Sequence, residues 1–319
     1  MQKQKKILTY AFLFVAFVII IANIINILKP KQTPVIKTDL LSTGYDGTKN
    51  KLSGISFKGD APSIPKTLSI ATTQPTQTIH QYIRDELIKK YSLEKSLKLE
   101  DFWDTDKHYL HYDSYASSYM FGSNSPIPKK FLELNVAKTT AVDFITNTFP
   151  NLKLHLIEKD VDFFTADVSG EKASKDNASV VSFPFTYKVG NYPVFIDKKV
   201  SYPITLWINA DLKIQKVVFP ITLIDLKIID QANTISTKQA IKNINDDVGS
   251  IISSEADFLD PGDISEIVSG NLTSVQVEYR LDKEVNLAYP FYRFFGTITN
   301  KDNIPMKAEI ITPAIEVME

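Results

Sequence analysis

The cleanest alternation of apolar and polar positions in this chain is SVQVEYRLD, where Val275, Val277, Tyr279 and Leu281 share one side against Gln276, Glu278, Arg280 and Asp282. A period of two predicts a strand with one buried and one wetted face, which is the habit of antiparallel sheets. The same reading gives strands over residues 178–188, 200–209, 212–220, 274–282, 289–297 and 306–311. In TLWINADLKIQKV the turn Asn209-Ala210-Asp211 joins two of them into a hairpin.

Three stretches instead repeat apolar residues at helical spacing. Ile79, Tyr82, Ile83, Leu87 and Tyr91 form one stripe of TIHQYIRDELIKKY. A second helix is predicted in VAKTTAVDFITNTF, with Asn135 as its cap, Pro150 beyond its end, and Ala137, Ala141, Phe144, Ile145 and Thr148 on its apolar side. The third begins at a capping box, Ser236 with Gln239, and carries Ile241, Ile244, Val248, Ile251 and Ile252. Helix followed by strands recurs after Asn135 and again after Ser236. That order predicts an α+β fold of helix-plus-antiparallel-sheet modules over residues 66–134, 135–230 and 231–319.

One segment breaks the pattern. Ile7 to Leu28, ILTYAFLFVAFVIIIANIINIL, runs 22 residues without a charge. As a helix it would be roughly 33 Å long, enough to span a bilayer core, so membrane lipid is its expected partner. Lys3, Lys5 and Lys6 precede it, and the exit NILKPKQTP lacks a small-x-small cleavage pair. The segment therefore reads as an uncleaved N-terminal transmembrane signal-anchor at 7–28, with the tail 1–6 cytoplasmic and the C-terminal domain extracytoplasmic. Residues 29–65 hold Gly44, Gly47, Gly54 and Gly59 with Pro30, Pro34, Pro62 and Pro65, and read as a stalk with one short strand near Leu52 to Phe57.

Composition narrows the chemistry. The 319 residues are 44% hydrophobic with a formal net charge of −1, ample for a core and without a field that would draw nucleic acid. The chain has no cysteine, which excludes disulfides, a thiol nucleophile and thiolate metal sites. Ser63 to Lys66 and Ser92 to Lys95 match Ser-x-x-Lys, but the companion motifs of that chemistry are missing. His108 and His111 in KHYLHYD, near Asp104, Asp106 and Asp113, would share a metal on a helix but point to opposite faces on a strand. The acidic run SSEADFLDPGDISE puts Leu259 at a ligand position and Asp260 at the glycine position of a calcium loop. No cofactor and no metal site is predicted. Asn177 and Asn271 head formal glycosylation sequons.

The run YPFYRFFG, Tyr289 to Gly296, reads as a strand with Tyr292, Phe294 and Ile298 on the core side. Phe291, Arg293 and Phe295 share the other side, where Arg293 can pair across to Glu278. Those three residues are either further core or the candidate partner or ligand surface. Pro290 fits the first residue of a strand or an edge.

Three segments carry a resemblance. ISTKQAIKNI (235–244) is similar to the start of a PepSY helix, and WINADLKIQKV (207–217) resembles the hairpin that closes such a module, although Asn-Ala-Asp stands where Asp and Gly are usual. YPFYRFFG resembles the late aromatic strand of the same proteins. The chain thus resembles membrane-anchored extracytoplasmic proteins with PepSY-like, cystatin-like modules, among them the YycH/YycI-type regulators of sensor kinases. The resemblance implies a non-catalytic sensing, inhibitory or scaffolding role at the cell envelope with a protein or peptide partner. The alternatives are a membrane-tethered hydrolase, using Ser92 with Lys95 or a metal at His108 and His111, and a purely structural scaffold.

Overall fold

Strand is the largest share of the described chain, gathered in one sheet and not in a series of helix-and-sheet modules. The computed structural model describes residues 39–42, 44, 47–76, 79–166, 170–197, 201–256 and 263–316. These belong to one compact unit, Lys37–Glu316. The expected span at 7–28 lies outside the described residues, and no helix among the described residues is long and apolar enough to cross a membrane.

The first strands are β1 (Lys51–Leu52), β2 (Ile55–Phe57), β3 (Thr67–Thr76), β4 (Glu94–Lys95), β5 (Phe102–Asp104), β6 (His108–Asp113) and β7 (Ser118–Ser123). The middle of the chain supplies β8 (Leu154–Leu156), β9 (Asp162–Phe164), β10 (Val180–Val189), β11 (Tyr192–Ile196), β12 (Ile204–Asn209), β13 (Ile214–Pro220) and β14 (Leu223–Asn233). The last four are β15 (Ser250–Ala256), β16 (Glu266–Asp282), β17 (Leu287–Asn300) and β18 (Pro305–Pro313). Among the described residues the α-helices are a single turn α1 (Asp39–Ser42), then α2 (Ile79–Tyr91), α3 (Leu134–Thr148) and α4 (Thr237–Asn245).

All the strands join one mixed sheet. An antiparallel ladder runs β4-β5-β6-β7-β13-β12-β10, with β8 and β9 on the far edge of β10. A second ladder runs β15-β18-β17-β16. Three segments, β1, β2 and β11, pair parallel with β16, and β3 pairs with β17 on one side and β14 on the other.

This corrects the expected α+β architecture. Of the strands after α3, β10, β12 and β13 lie side by side with β8 and β9 outside β10, whereas β15, the first strand after α4, lies beside the last strand β18. The two halves do not repeat one topology. The cause is β16: its 17 residues give length for β17 along one edge and for three different segments along the other, so no free edge is left there to end a module.

Helices α2 and α3 cover one face of the first ladder. Ile83, Leu87, Ala137, Ala141, Phe144 and Ile145 pack into a core with Leu110, Phe121, Phe183, Leu206, Val217 and Phe219. The buried residues of α3 are Ala137, Ala141, Phe144, Ile145 and Thr148, the stripe the spacing predicts. On α2 the stripe is narrower, because Tyr82 is 51% exposed.

Several boundaries move. α3 starts at Leu134 with Glu133 as its N-cap, which places Asn135 inside the first turn. The Ser236 cap forms as predicted, its hydroxyl accepting from Gln239 N at 3.2 Å. That helix then stops: Asp247 takes a positive φ of 62°, and Ile251 and Ile252 belong to β15. The expected stalk is woven into the fold from Asn50 onward, with Leu52 and Ile55 buried. The Asn245 amide at the end of α4 accepts from Ile55 N at 2.8 Å and donates to Ile55 O at 3.0 Å, which holds β2 as a further strand would.

Candidate functional site

Alternation along β16 to β18 sends charged side chains to the same face as Phe291 and Phe295. Phe291 is wholly buried, Arg293 is 3% exposed, and of the three candidate surface residues only Phe295 reaches the outside in part. Arg293 meets Glu278 as its placement predicts, with Nη1 donating to Oε2 at 3.3 Å. Its Nε also donates to Glu309 Oε2 at 2.8 Å. The second oxygen of Glu278 accepts from Arg280 Nε at 2.7 Å, and Arg280 Nη1 donates to the Asp197 carbonyl at 3.2 Å.

The network is lined by rings. The Arg280 guanidinium lies 5.0 Å from the Phe195 ring centre, and Arg293 lies 5.1 Å from that of Phe295. Lys159 covers the outer side of Phe295 at 4.8 Å and donates to Gln276 Oε1 at 3.4 Å. Next to Lys159, Asp160 accepts from Tyr202, whose phenol is pushed up by burial and by that carboxylate. Within this network every guanidinium has a carboxylate, so the interior here is neutralised by its own side chains. Its work is to dock β11 and the 158–160 turn onto the second ladder.

A different part of the sheet has unfilled bonding capacity. β14 pairs with β3 from Leu223–Thr76 to Asn233–Thr67, and among the described residues no strand pairs with its other edge, where Ile224 N donates to Tyr187 Oη at 3.3 Å. A register shift between Ile228 and Asp230 marks a bulge, with Ile229 as the extra residue. Ile228 and Ile229 are 54% and 52% exposed, flanked by the exposed Asp225, Lys227 and Gln231. Sequence reading missed this strand, because the bulge breaks the alternation of LIDLKIIDQAN. It missed β3 as well, whose segment TLSIATTQPT is rich in threonine and has a proline next to its end.

The remaining candidates are dispersed. β6 is a strand, so His108 and His111 point to opposite faces: His108 lies against Tyr91 and Phe121, His111 against Phe102 and Tyr109. Among the described residues no three His, Asp or Glu side chains gather where they could hold a metal. Ser92 sits in the turn after α2 with φ 52°, while the Lys95 ammonium lies 6.0 Å over the Trp103 ring. No hydrogen bond joins Ser92 to Lys95 among the described residues. Residues 257–262 of the acidic run lie outside the described residues; Asp263 accepts from Ser265 N at 2.8 Å and pairs with Lys301 at 3.0 Å. No protein family, curated protein or solved structure matches this chain.

Proposed function

We propose that this protein is a membrane-tethered, non-catalytic binding domain that engages a protein or peptide partner at the cell envelope, by adding a strand of the partner to β14. The observation that carries the reading is the stretch of β14 around Ile228 and Ile229, two neighbouring isoleucines exposed at an edge with which no described strand pairs. An extended segment laid along this edge would satisfy backbone donors and acceptors, and it would bury Ile228 and Ile229 at about 1.5–3 kcal/mol per side chain when burial is complete. The bulge and Lys227 are the usual devices against indiscriminate edge pairing, so the edge selects for a segment that accommodates the bulge and carries an acid opposite Lys227. The apolar run at residues 7–28 supports the tether.

The test is a photoreactive residue placed at position 229 of the full chain in living cells, with Val285, also exposed, as the control position. A single defined protein adduct at 229 and none at 285 is the expected outcome. Identical adducts at the two positions, or none at 229, would remove the reading.

A further inference from the structure

The face of the first ladder that turns away from α2 and α3 carries a second arrangement. Strand registers put Asp104, Tyr109, Gly122, Lys216 and Trp207 in one row across β5, β6, β7, β13 and β12. Phe102 and His111, facing each other across β5 and β6, stand beside Tyr109.

Gly122 sets the shape. A Cβ placed there would meet Cζ and Oη of Tyr109 at 2.5 Å, so the Tyr109 ring lies down across the neighbouring strand. The Phe102 ring is within 4° of parallel to it at 6.4 Å, and His111 lies 6.0 Å from Tyr109 and 6.1 Å from Phe102, tilted by 23° and 19°. Three nearly equal separations describe a triangle; in a column the outer pair would stand twice as far apart. With Tyr109 lying over Gly122, the three near-parallel rings cluster into one aromatic plate, and all three are partly exposed.

A cation stands at one side of this plate. Lys216 is partly buried, with its Nζ 4.9 Å over the Trp207 ring, and no carboxylate lies within ion-pair distance of it among the described residues. Burial lowers its ammonium's pKa, the direction expected of a charge without a counter-ion. Tyr109 and Lys216 are two strands apart, about 10 Å between Cα atoms, with the Tyr109 ring filling the interval.

We infer that this face binds an acidic saccharide, one pyranose ring lying on the Tyr109, Phe102 and His111 plate while its carboxylate pairs with Lys216. A flat plate without walls offers little to an apolar side chain, which gains most from being surrounded. It suits the flat face of a sugar, whose polarised C–H groups meet the electron-rich faces of the rings. The uncompensated ammonium supplies the charge complementarity, and the exposed Asp104 carboxylate at the other end of the row can accept from sugar hydroxyls. This inference uses a different face from the β14 edge, and either can fail without the other.

The test uses the purified full chain and three probes: hexagalacturonate, its methyl ester, and a hexaglutamate peptide of the same charge, read by tryptophan fluorescence. Hexagalacturonate binding is expected, at least fivefold tighter than either of the other probes. Tyr109→Ala should weaken it about five- to tenfold. Lys216→Gln, a change at a partly exposed side chain, should bring the acid down to the affinity of its ester and remove most of the salt dependence. Binding of hexaglutamate as tight as that of hexagalacturonate, indifference to Lys216→Gln, or no saccharide binding would overturn the proposal.

Discussion

Glu278 and Arg280 stand two residues apart on β16, face the same way and are each wholly buried, with Arg280 Nε donating to Glu278 Oε1 at 2.7 Å. The same carboxylate takes Arg293 from β17 on its other oxygen. One acid thus holds two guanidinium groups in place inside the sheet, and Glu309 neutralises the second.

Removing a member of such a set leaves a buried charge uncompensated. Glu278→Gln should lower stability by about 3–5 kcal/mol, seen as an earlier midpoint in urea unfolding. Arg280→Met combined with Glu278→Leu should be less harmful than Glu278→Gln alone, since it also removes one of the two charges that Glu278 compensates. If Glu278→Gln unfolds at the wild-type midpoint, the network does not dock the two ladders.

Tyr292 gives a dependence on alkaline pH. Its phenol is buried, donates to the Ile235 carbonyl at 2.6 Å, and is pushed up to about 12, first by burial and then by Tyr192. The unfolded phenol ionises near the ordinary value of 10. The neutral form is therefore favoured by folding, and its contribution is complete below pH 10 and disappears as pH rises from 10 to about 12. Tyr292→Phe should flatten the fall of stability in that window by at most about 1.4 kcal/mol per pH unit. Chemical unfolding at pH 9, 10.5 and 11.5 would check it, and equal slopes in the two proteins would contradict the assignment.

Two glycines separate rigid from yielding neighbours. A Cβ at Gly296 would meet Asn271 O at 2.3 Å and Leu272 Cα at 2.6 Å, backbone of the adjacent strand at a point where its register shifts. At Gly122 the obstacle is the Tyr109 side chain, which can swing away. Gly296→Ala should cost about 1–3 kcal/mol and Gly122→Ala less, measured as thermal midpoints. The reverse order would mean that β16 and β17 can part more easily than the Tyr109 ring can turn.

How much of this was legible beforehand differs by element. Alternation in SVQVEYRLD gave the two faces of β16, and from them the reach of Arg293 to Glu278, but the face expected to be wetted is buried, with Glu278, Arg280 and Asp282 all interior because β11 and its neighbours cover it. Helical spacing gave the buried stripe of α3, and the capping box gave the start of α4. The hairpin of β12 and β13 also formed as its turn predicts; what failed was most of what depends on which distant segment lies beside which. The glycine- and proline-marked run after residue 29 read as a stalk, yet Lys51 to Phe57 pairs in parallel with β16, more than 200 residues away in the chain.

The sequence by itself determined which side of a strand or helix is apolar, because side-chain periodicity is a local property. Only the tertiary structure decided that Phe291 and Arg293 are interior, that no described strand pairs with the outer edge of β14, and that Tyr109 lies over Gly122. Strands pair through backbone groups that nearly every residue has, so pairing leaves little mark in composition. A face becomes core or surface only when a distant segment covers it or leaves it open.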